Sequence, residues 1–240
     1  MTLKIAICDS GVGGLFLLAK LVKKFPNFKY VYISDKENMP YGNKTKKQII
    51  RYAKQVIKQV KKFNANILIV ACNTLSEIGE QTFLKQANIP VFFVRHNLRK
   101  ILASNMKTER FFCTLATSKT TQISTLSKLE KSFVVPLKNL AFEIENNALN
   151  LKNYCPKFLE KTYPKIQKVY LGCTHYALIL NKFKKSFPSA KIYDGSEEII
   201  CFLKKLLPLT CFKEDRCEKI FVGSGNTYAL NVFRAIYSQK

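Results

Sequence analysis

Two cysteines stand in the same setting at widely separated points of the chain. Cys72 follows the apolar run Ile67–Val70 and the small residue Ala71, and precedes Asn73-Thr74. Cys173 follows Val169-Tyr170-Leu171 and Gly172, and precedes Thr174-His175-Tyr176. Each reads as an apolar strand, one small residue, a cysteine, then a polar residue opening a helix. This internal echo, repeated about a hundred residues apart, predicts two similar domains that bring the thiols to opposite sides of one cleft. Two opposed thiols can serve a carbon centre as base on one face and acid on the other, exchanging roles with the handedness of the substrate. A free thiol titrates near ~8.5, so each needs neighbours or a helix N-terminus to act at neutral pH.

The remaining unusual residues also follow predicted strands. Asp9-Ser10-Gly11-Val12-Gly13-Gly14 comes after the first, and Asp35 with Pro40-Tyr41-Gly42 after the second. The glycines do not make a dinucleotide fingerprint, because Phe16 stands where a third small residue is needed, and no Gly-Lys-Ser/Thr run makes a P-loop. They permit instead a tight turn and close backbone approach to a small anion, which a helix N-terminus also favours. A carboxylate fits as well as a phosphate. Asp35 admits either a capping role or a place in a proton network.

The elements that must hold these loops alternate. Strands are predicted at Leu3–Cys8, Lys29–Ile33, Ile67–Cys72, Val91–Val94, Phe111–Thr114, Phe133–Val135, Lys168–Leu171, Lys191–Tyr193 and Ile220–Val222. Helical patterns lie between most of them, at Leu15–Phe25, Thr45–Phe63, Leu75–Gln86, Tyr176–Ser186 and Glu197–Leu206. Such alternation predicts parallel sheets covered on both faces. Ligands in these folds bind beyond the carboxyl ends of the strands, where the loops above lie.

Composition narrows the rest. With 240 residues, 47% hydrophobic and 23% charged, the chain reads as a globular enzyme with a substantial core. No apolar run reaches the roughly 20 residues that cross a bilayer. The N-terminal run leads straight into a glycine turn, so it is expected to be a strand and not a signal peptide, and the protein to be cytoplasmic. The net charge of +24 raises the question of nucleic acid. Lysine far outnumbers arginine, however, and arginine is the residue favoured for bidentate phosphate or guanine contacts. Lys47, Arg51, Lys54, Lys58 and Lys61 repeat at helical spacing opposite an apolar stripe of Ile50, Ala53, Ile57 and Val60. That is the solvated face of an amphipathic helix. The eight cysteines are expected to be reduced, and with only His96 and His175 as histidines a structural zinc site finds no ligand set. Cys8, Cys113, Cys155, Cys201, Cys211 and Cys217 read as small buried hydrophobes.

Four motifs in order, Asp9–Gly14, Pro40–Gly42, Ala71–Thr74 and Gly172–Tyr176, resemble the signatures of the glutamate racemases, and the similarity runs from about residue 3 to about 200. The resemblance implies an α/β fold of two similar doubly wound parallel-sheet domains related by pseudo-twofold symmetry, with the active site in the cleft between them. Residues 1–95 with 208–240 would form the first domain and 96–207 the second. It implies cofactor-independent interconversion of L- and D-glutamate, without metal or pyridoxal phosphate, supplying the D-isomer for peptidoglycan. Cys72 would deprotonate the D-isomer and Cys173 the L-isomer. Asp9 would assist Cys72, and His175 would assist Cys173 with support from Glu145, although the pattern around Glu145 also fits a solvated helix residue. Ser10, Pro40, Tyr41, Gly42, Asn73, Thr74, Thr117 and Thr174 would bind substrate. The implied partner is this small molecule, with neither specific nucleic acid nor membrane, and a homodimer is compatible with it.

The chain departs from the family pattern in places. Phe93–Asn97 replaces the usual Gly-Val-Ile turn, Asp35–Met39 replaces an acidic and arginine-containing run, Cys113 stands where the Gly-Thr-x-x-Thr strand end has Gly, and Ala177 stands for Pro. The cysteine pair survives all of these. A racemase of aspartate or another small amino acid is the nearest alternative, and a non-catalytic basic binding protein the more distant one.

Overall fold

The computed structural model describes residues 3–94, 112–117, 133–207 and 218–237. In chain order its strands are β1 (Lys4–Cys8), β2 (Lys29–Asp35), β3 (Ile67–Val70), β4 (Val91–Phe93), β5 (Phe112–Ala116), β6 (Phe133–Pro136), β7 (Lys168–Gly172), β8 (Lys191–Tyr193) and β9 (Lys219–Ser224). They form two sheets, ordered β4-β3-β1-β2-β9 and β6-β5-β7-β8, and every pairing is parallel. The fold is α/β with two parallel sheets, as the alternation predicts.

Parallel strands covered on both faces read as continuous apolar runs. β1 and β3 do so, and side-chain alternation sends successive residues to opposite faces. Ile5, Ile7, Ile67 and Ile69 enter one core with Tyr30 and Tyr32. Ala6, Cys8, Leu68 and Val70 enter another with Val31 and Ile33. The first core is covered by α1 (Leu15–Lys24), and the second by α2 (Lys46–Lys62) and α3 (Asn73–Gln86). α2 starts with a capping box between Thr45 and Gln48. It buries Ile49, Tyr52, Ala53, Val56, Ile57 and Val60, while Lys47, Arg51, Lys54, Lys58 and Lys61 are exposed. The lysine-rich face is therefore solvated as expected, although Ile50 is only half-buried and Ile49, Tyr52 and Val56 carry more of the buried stripe.

The second sheet packs Leu115, Val169 and Leu171 against α4 (Leu140–Asn146), α5 (Thr174–Ala177) and α6 (Leu180–Ser186). One helix is predicted at Tyr176–Ser186; the chain instead breaks between α5 and α6. The Tyr176, Leu178 and Ile179 amides bond three residues back, to Cys173, His175 and Tyr176 at 3.2, 3.0 and 3.2 Å. This tightened turn leaves Ile179 outside helical geometry (φ −112°, ψ 28°) while keeping it buried with Phe183.

The last elements lie against the first sheet. α7 (Ser196–Leu206) contributes Ile199, Ile200 and Leu203 to the core under α1, and α8 (Asn226–Tyr237) contributes Ala229, Val232 and Phe233. β9 pairs with β2 along its length. Among the described residues no helix is long and apolar enough to cross a membrane. Cys8 is buried as expected, but Cys155 and Cys201 are exposed: Cys155 sits in a loop and Cys201 on the outer side of α7. The side chain of Cys113 and residues Cys211 and Cys217 lie outside the described residues.

Candidate active site

Each of the two cysteines sits at the carboxyl end of a central strand and acts as the N-cap residue of the next helix. β3 stops at Val70, two residues short of the predicted end. The Ala71 amide still bonds to the Cys8 carbonyl at 2.9 Å, and Cys72 then turns into α3. Cys173 leaves β7 in extended geometry and opens α5. Both are nearly buried, at 5% and 8% exposed.

The surroundings of the two thiols differ. Burial pushes the Cys72 thiol well above its ordinary value, and the charge of Asp9 adds to this. The Leu75 amide and Ser10 oppose it; Ser10 Oγ lies 3.8 Å from Cys72 Sγ. The charge of Cys173 also raises Cys72, so the two thiols lie within electrostatic reach of each other.

Cys173 has an ion pair behind it. Its Sγ lies 3.9 Å from His175 Nδ1, and His175 Nε2 lies 2.7 Å from Glu145 Oε2. Glu145 is 1% exposed, which rules out a solvated helix position, and the same oxygen accepts the Val12 amide at 2.9 Å. Burial works against charge on both members. It would pull His175 down, but the hydrogen bonds and charges of Cys173 and Glu145 hold the imidazole well above its usual value. Burial would raise Glu145, yet His175 and the Val12 amide keep it below the usual carboxylate range. The contact between the two thus favours the imidazolium and the carboxylate, against the pull of burial.

Asp9, 2% exposed, lies on the other side of the interface. It accepts the Gly14 amide at 3.0 Å and faces the Thr174 hydroxyl with both oxygens, each at 3.2 Å. Burial raises its carboxyl to about 6 despite the opposing pull of His175 and the Gly14 amide. An acid in that range can hold or release a proton near neutrality.

The glycine loop is compressed between the lobes. A Cβ on Gly13 would stand 2.6 Å from both the backbone nitrogen and Nδ1 of His175, and one on Gly14 would meet Asp9 and Tyr32 at 2.9 Å. Tyr32, not picked out by its sequence, holds the loop by donating its hydroxyl to the Gly11 carbonyl at 2.7 Å. Ser10, Asn73 and Thr74 are buried around Cys72. Across the cleft, a Cβ on Gly42 would reach Thr117 Oγ1 at 2.9 Å, so the turn Tyr41–Asn43, led in by half-buried Pro40, abuts the end of β5. Tyr41 donates its hydroxyl to Asp35 Oδ2 at 2.9 Å, with its ring stacked on Tyr52. Asp35 thus serves as an anchor for Tyr41, and Asn38 and Ser224 donate to it as well. Asp9, Asp35, Tyr41 and Ser224 line a cavity of about 280 Å³ beside the site. Among the described residues no group of three or more His, Cys, Asp or Glu is arranged to hold a metal ion.

No family model matches the chain. Its similarity to individual proteins is decisive. It is 32% identical over 214 residues to a glutamate racemase of Prochlorococcus marinus, covering 84% of this chain and 79% of that one. It is 31% identical over 215 residues to a glutamate racemase of Persephonella marina, covering 85% and 82%. The chain belongs to the glutamate racemase family of enzymes. The crystal structure of a family member from Campylobacter jejuni has the same fold, with a TM-score of 0.82 at 22% identity over 99% of this chain and 100% of that one. Sequence reasoning toward the glutamate racemases misses the contributions of the Val12 amide, Tyr32, Lys36, Ser224 and Tyr228. Of these Val12 lies inside the Asp9–Gly14 motif, and Ser224 carries a weaker signal in its flanking glycines, Gly223 and Gly225, both of which the structure holds at positive φ.

Proposed function

We propose that this protein interconverts L- and D-glutamate by a two-base mechanism in which Cys72 and Cys173 serve opposite faces of the α-carbon. The observation that carries the reading is the pairing of two nearly buried thiols at equivalent strand ends of the two sheets, with His175 beside Cys173 and the charge of Asp9 acting on Cys72. Family membership supplies the substrate, since the relatives are named glutamate racemases.

With D-glutamate bound, Cys72 as thiolate removes the α-proton. The Cys173 thiol, backed by the His175 imidazolium, returns a proton to the other face. With L-glutamate the roles exchange. The raised proton affinity of Cys72 makes it a strong base once ionised, and the substrate ammonium and the N-terminus of α3 offset the cost of ionising it. Asp9, on this reading, holds the proton that Cys72 gives up. Asn73, Thr74, Thr174 and Ser10 bind the carboxylates. Fixed donors there stabilise the charge that develops on the α-carboxylate as the carbanion forms. Pro40, Tyr41, Gly42 and Thr117 close the opposite wall. Both thiols must stay reduced to act, which suits a cytoplasmic enzyme, and the D-glutamate it makes suits peptidoglycan synthesis. The lysine-rich face is a solvated surface on this reading, with no specific nucleic-acid partner.

The test is solvent-deuterium incorporation by purified protein without added cofactor. Both glutamate enantiomers are expected to gain deuterium at the α-carbon. Exchange with aspartate and not with glutamate would overturn the substrate, and no exchange with any amino acid would overturn the enzyme reading.

A further inference from the structure

Glu145 occupies the last turn of α4, a helix of seven residues entered through Asn139 at φ 59° with no side-chain cap. Two turns of helix have little stability of their own. The position of Glu145 is therefore set by what surrounds α4. Buried Ile144 anchors one side in the second core, and the Val12 amide holds the carboxylate. A further contact comes from the C-terminal segment. The Tyr228 hydroxyl, on the first turn of α8, donates to the backbone carbonyl of Glu145. That carbonyl lies at a helix end and also accepts the Ala148 amide at 3.2 Å, so the hydroxyl is a second donor that ties it to the C-terminal segment.

Tyr228 is itself held in place. Ala229, Val232 and Phe233 bury α8 against the first sheet, and the Lys36 ammonium lies 3.4 Å from the centre of the Tyr228 ring. A Cβ on Gly225 would crowd Lys36 at 2.8 Å, so the turn before α8 is shaped around this contact. Burial, with the charge of Glu145, raises the Tyr228 hydroxyl to about 12, which keeps it a donor throughout the working range.

We propose that Tyr228 is a positioning residue for the Cys173 half of the reaction: its hydroxyl fixes the backbone of Glu145, whose carboxylate fixes and charges His175 beside Cys173. The assignment rests on the racemase reading above. It gives α8 a task in the chemistry of the other lobe. It also separates that task from Ser224, which belongs to the same segment but bonds to Asp35 and so to the Tyr41 side of the site.

Tyr228→Phe removes the hydroxyl and keeps the ring. With β-substituted glutamate analogues, elimination from the L-analogue uses Cys173 as base and elimination from the D-analogue uses Cys72. The variant is expected to lose about threefold to tenfold on the L-analogue, as for one hydrogen bond, and less than about twofold on the D-analogue. With D-glutamate as substrate the proton is delivered from the Cys173 side. The alkaline limb of that pH profile should move to lower pH, because His175 loses part of what keeps it protonated. In the Glu145→Gln background the same change should add little further asymmetry. Equal losses on both analogues, an unchanged pH limb, or full additivity with Glu145→Gln would overturn the proposal while leaving the racemase reading intact. A wild-type protein unable to exchange the α-proton of glutamate would take both down together.

Discussion

His175 Nε2 and Glu145 Oε2 stand 2.7 Å apart, and neither side chain is more than 2% exposed. A buried ion pair of this kind costs desolvation on both members, so its worth lies in what the charged histidine does and not in stability. The carboxylate comes from a short helix after β6 and the imidazole from the strand-to-helix turn after β7, so the pair aligns α4 with the Cys173 loop. The Val12 amide reaches the same oxygen from the glycine loop of the first lobe, so one carboxylate joins three segments.

Removing half of this pair should be costly on one side of the reaction. Glu145→Gln keeps the shape and the acceptor for Val12 but leaves His175 without its counter-charge. The imidazole then loses protonation at lower pH. Elimination from an L-analogue should fall by more than about tenfold, with a smaller loss on the D-analogue. Unfolding should also be easier, by about 3 kcal/mol if the histidine stays charged. Equal damage to both half-reactions, measured with the paired analogues, would detach Glu145 from Cys173.

Asp9 has the opposite linkage to an ordinary paired carboxylate. Its folded value of about 6 lies above the ordinary 3.8 of a free aspartate, so its charged form is disfavoured by folding. Stability from this group is therefore greatest below about pH 4 and declines as pH rises toward 6, with the full penalty present above that. Asp9→Asn removes the penalty and can still accept the Gly14 amide. It should be more stable than the parent at pH 8 by about 1–3 kcal/mol, the gap closing near pH 4, while racemisation falls. Chemical denaturation at the two pH values checks this. A variant less stable at pH 8 would mean that the carboxylate is held for structure and not for proton transfer.

The parallel strands were legible because both of their faces are buried. Ile67–Val70 and Ile5–Cys8 have no polar face to blur the pattern, and the two cysteines mark the ends of equivalent strands. Tyr176–Ser186 misleads because an apolar helical spacing continues through Leu178-Ile179, where the backbone tightens to keep both Tyr176 and Ile179 inside. Glu145 is visible only through the family resemblance. Its helix is two turns long and flanked by asparagines, and the residue that makes it special, His175, is thirty positions away. Tyr228 gives no signal at all, since an aromatic on an amphipathic helix reads as core and the hydrogen bond goes to backbone.

Gly13 tests how tightly the lobes must close. An alanine there would press its Cβ on the His175 backbone nitrogen and Nδ1 at 2.6 Å, closer than a real Cβ contact allows. The nearest neighbour is the Thr174 hydroxyl, itself bonded to Asp9, and the others are a backbone atom and a ring held by Glu145, so the site cannot give way cheaply. Gly13→Ala should fold, because the clash lies at the interface and not in either core, but turnover should drop by more than about a hundredfold as His175 is displaced. Near-parental turnover would mean that the lobes open more widely during the reaction than they stand at rest.

The two thiols give the sharpest distinction, because each is assigned one face of the carbon. Cys72→Ser should abolish racemisation in both directions, since either direction needs a base and an acid. It should still eliminate from the L-analogue of a β-substituted glutamate, a reaction that needs a base on one side and no return of a proton to carbon. Cys173→Ser should show the reverse, acting on the D-analogue alone. A serine hydroxyl ionises far too weakly at neutral pH to stand in for either thiol, so the preference should exceed about a hundredfold in each variant. The two variants should differ in pH response as well. Cys72→Ser retains the His175–Glu145 pair behind the surviving base, whereas Cys173→Ser leaves a buried Cys72 whose thiol is raised by burial and Asp9, so its activity should need a higher pH. Loss of both eliminations in one variant and of neither in the other would point to a single-base mechanism, and full racemisation by either variant would remove that cysteine from the chemistry.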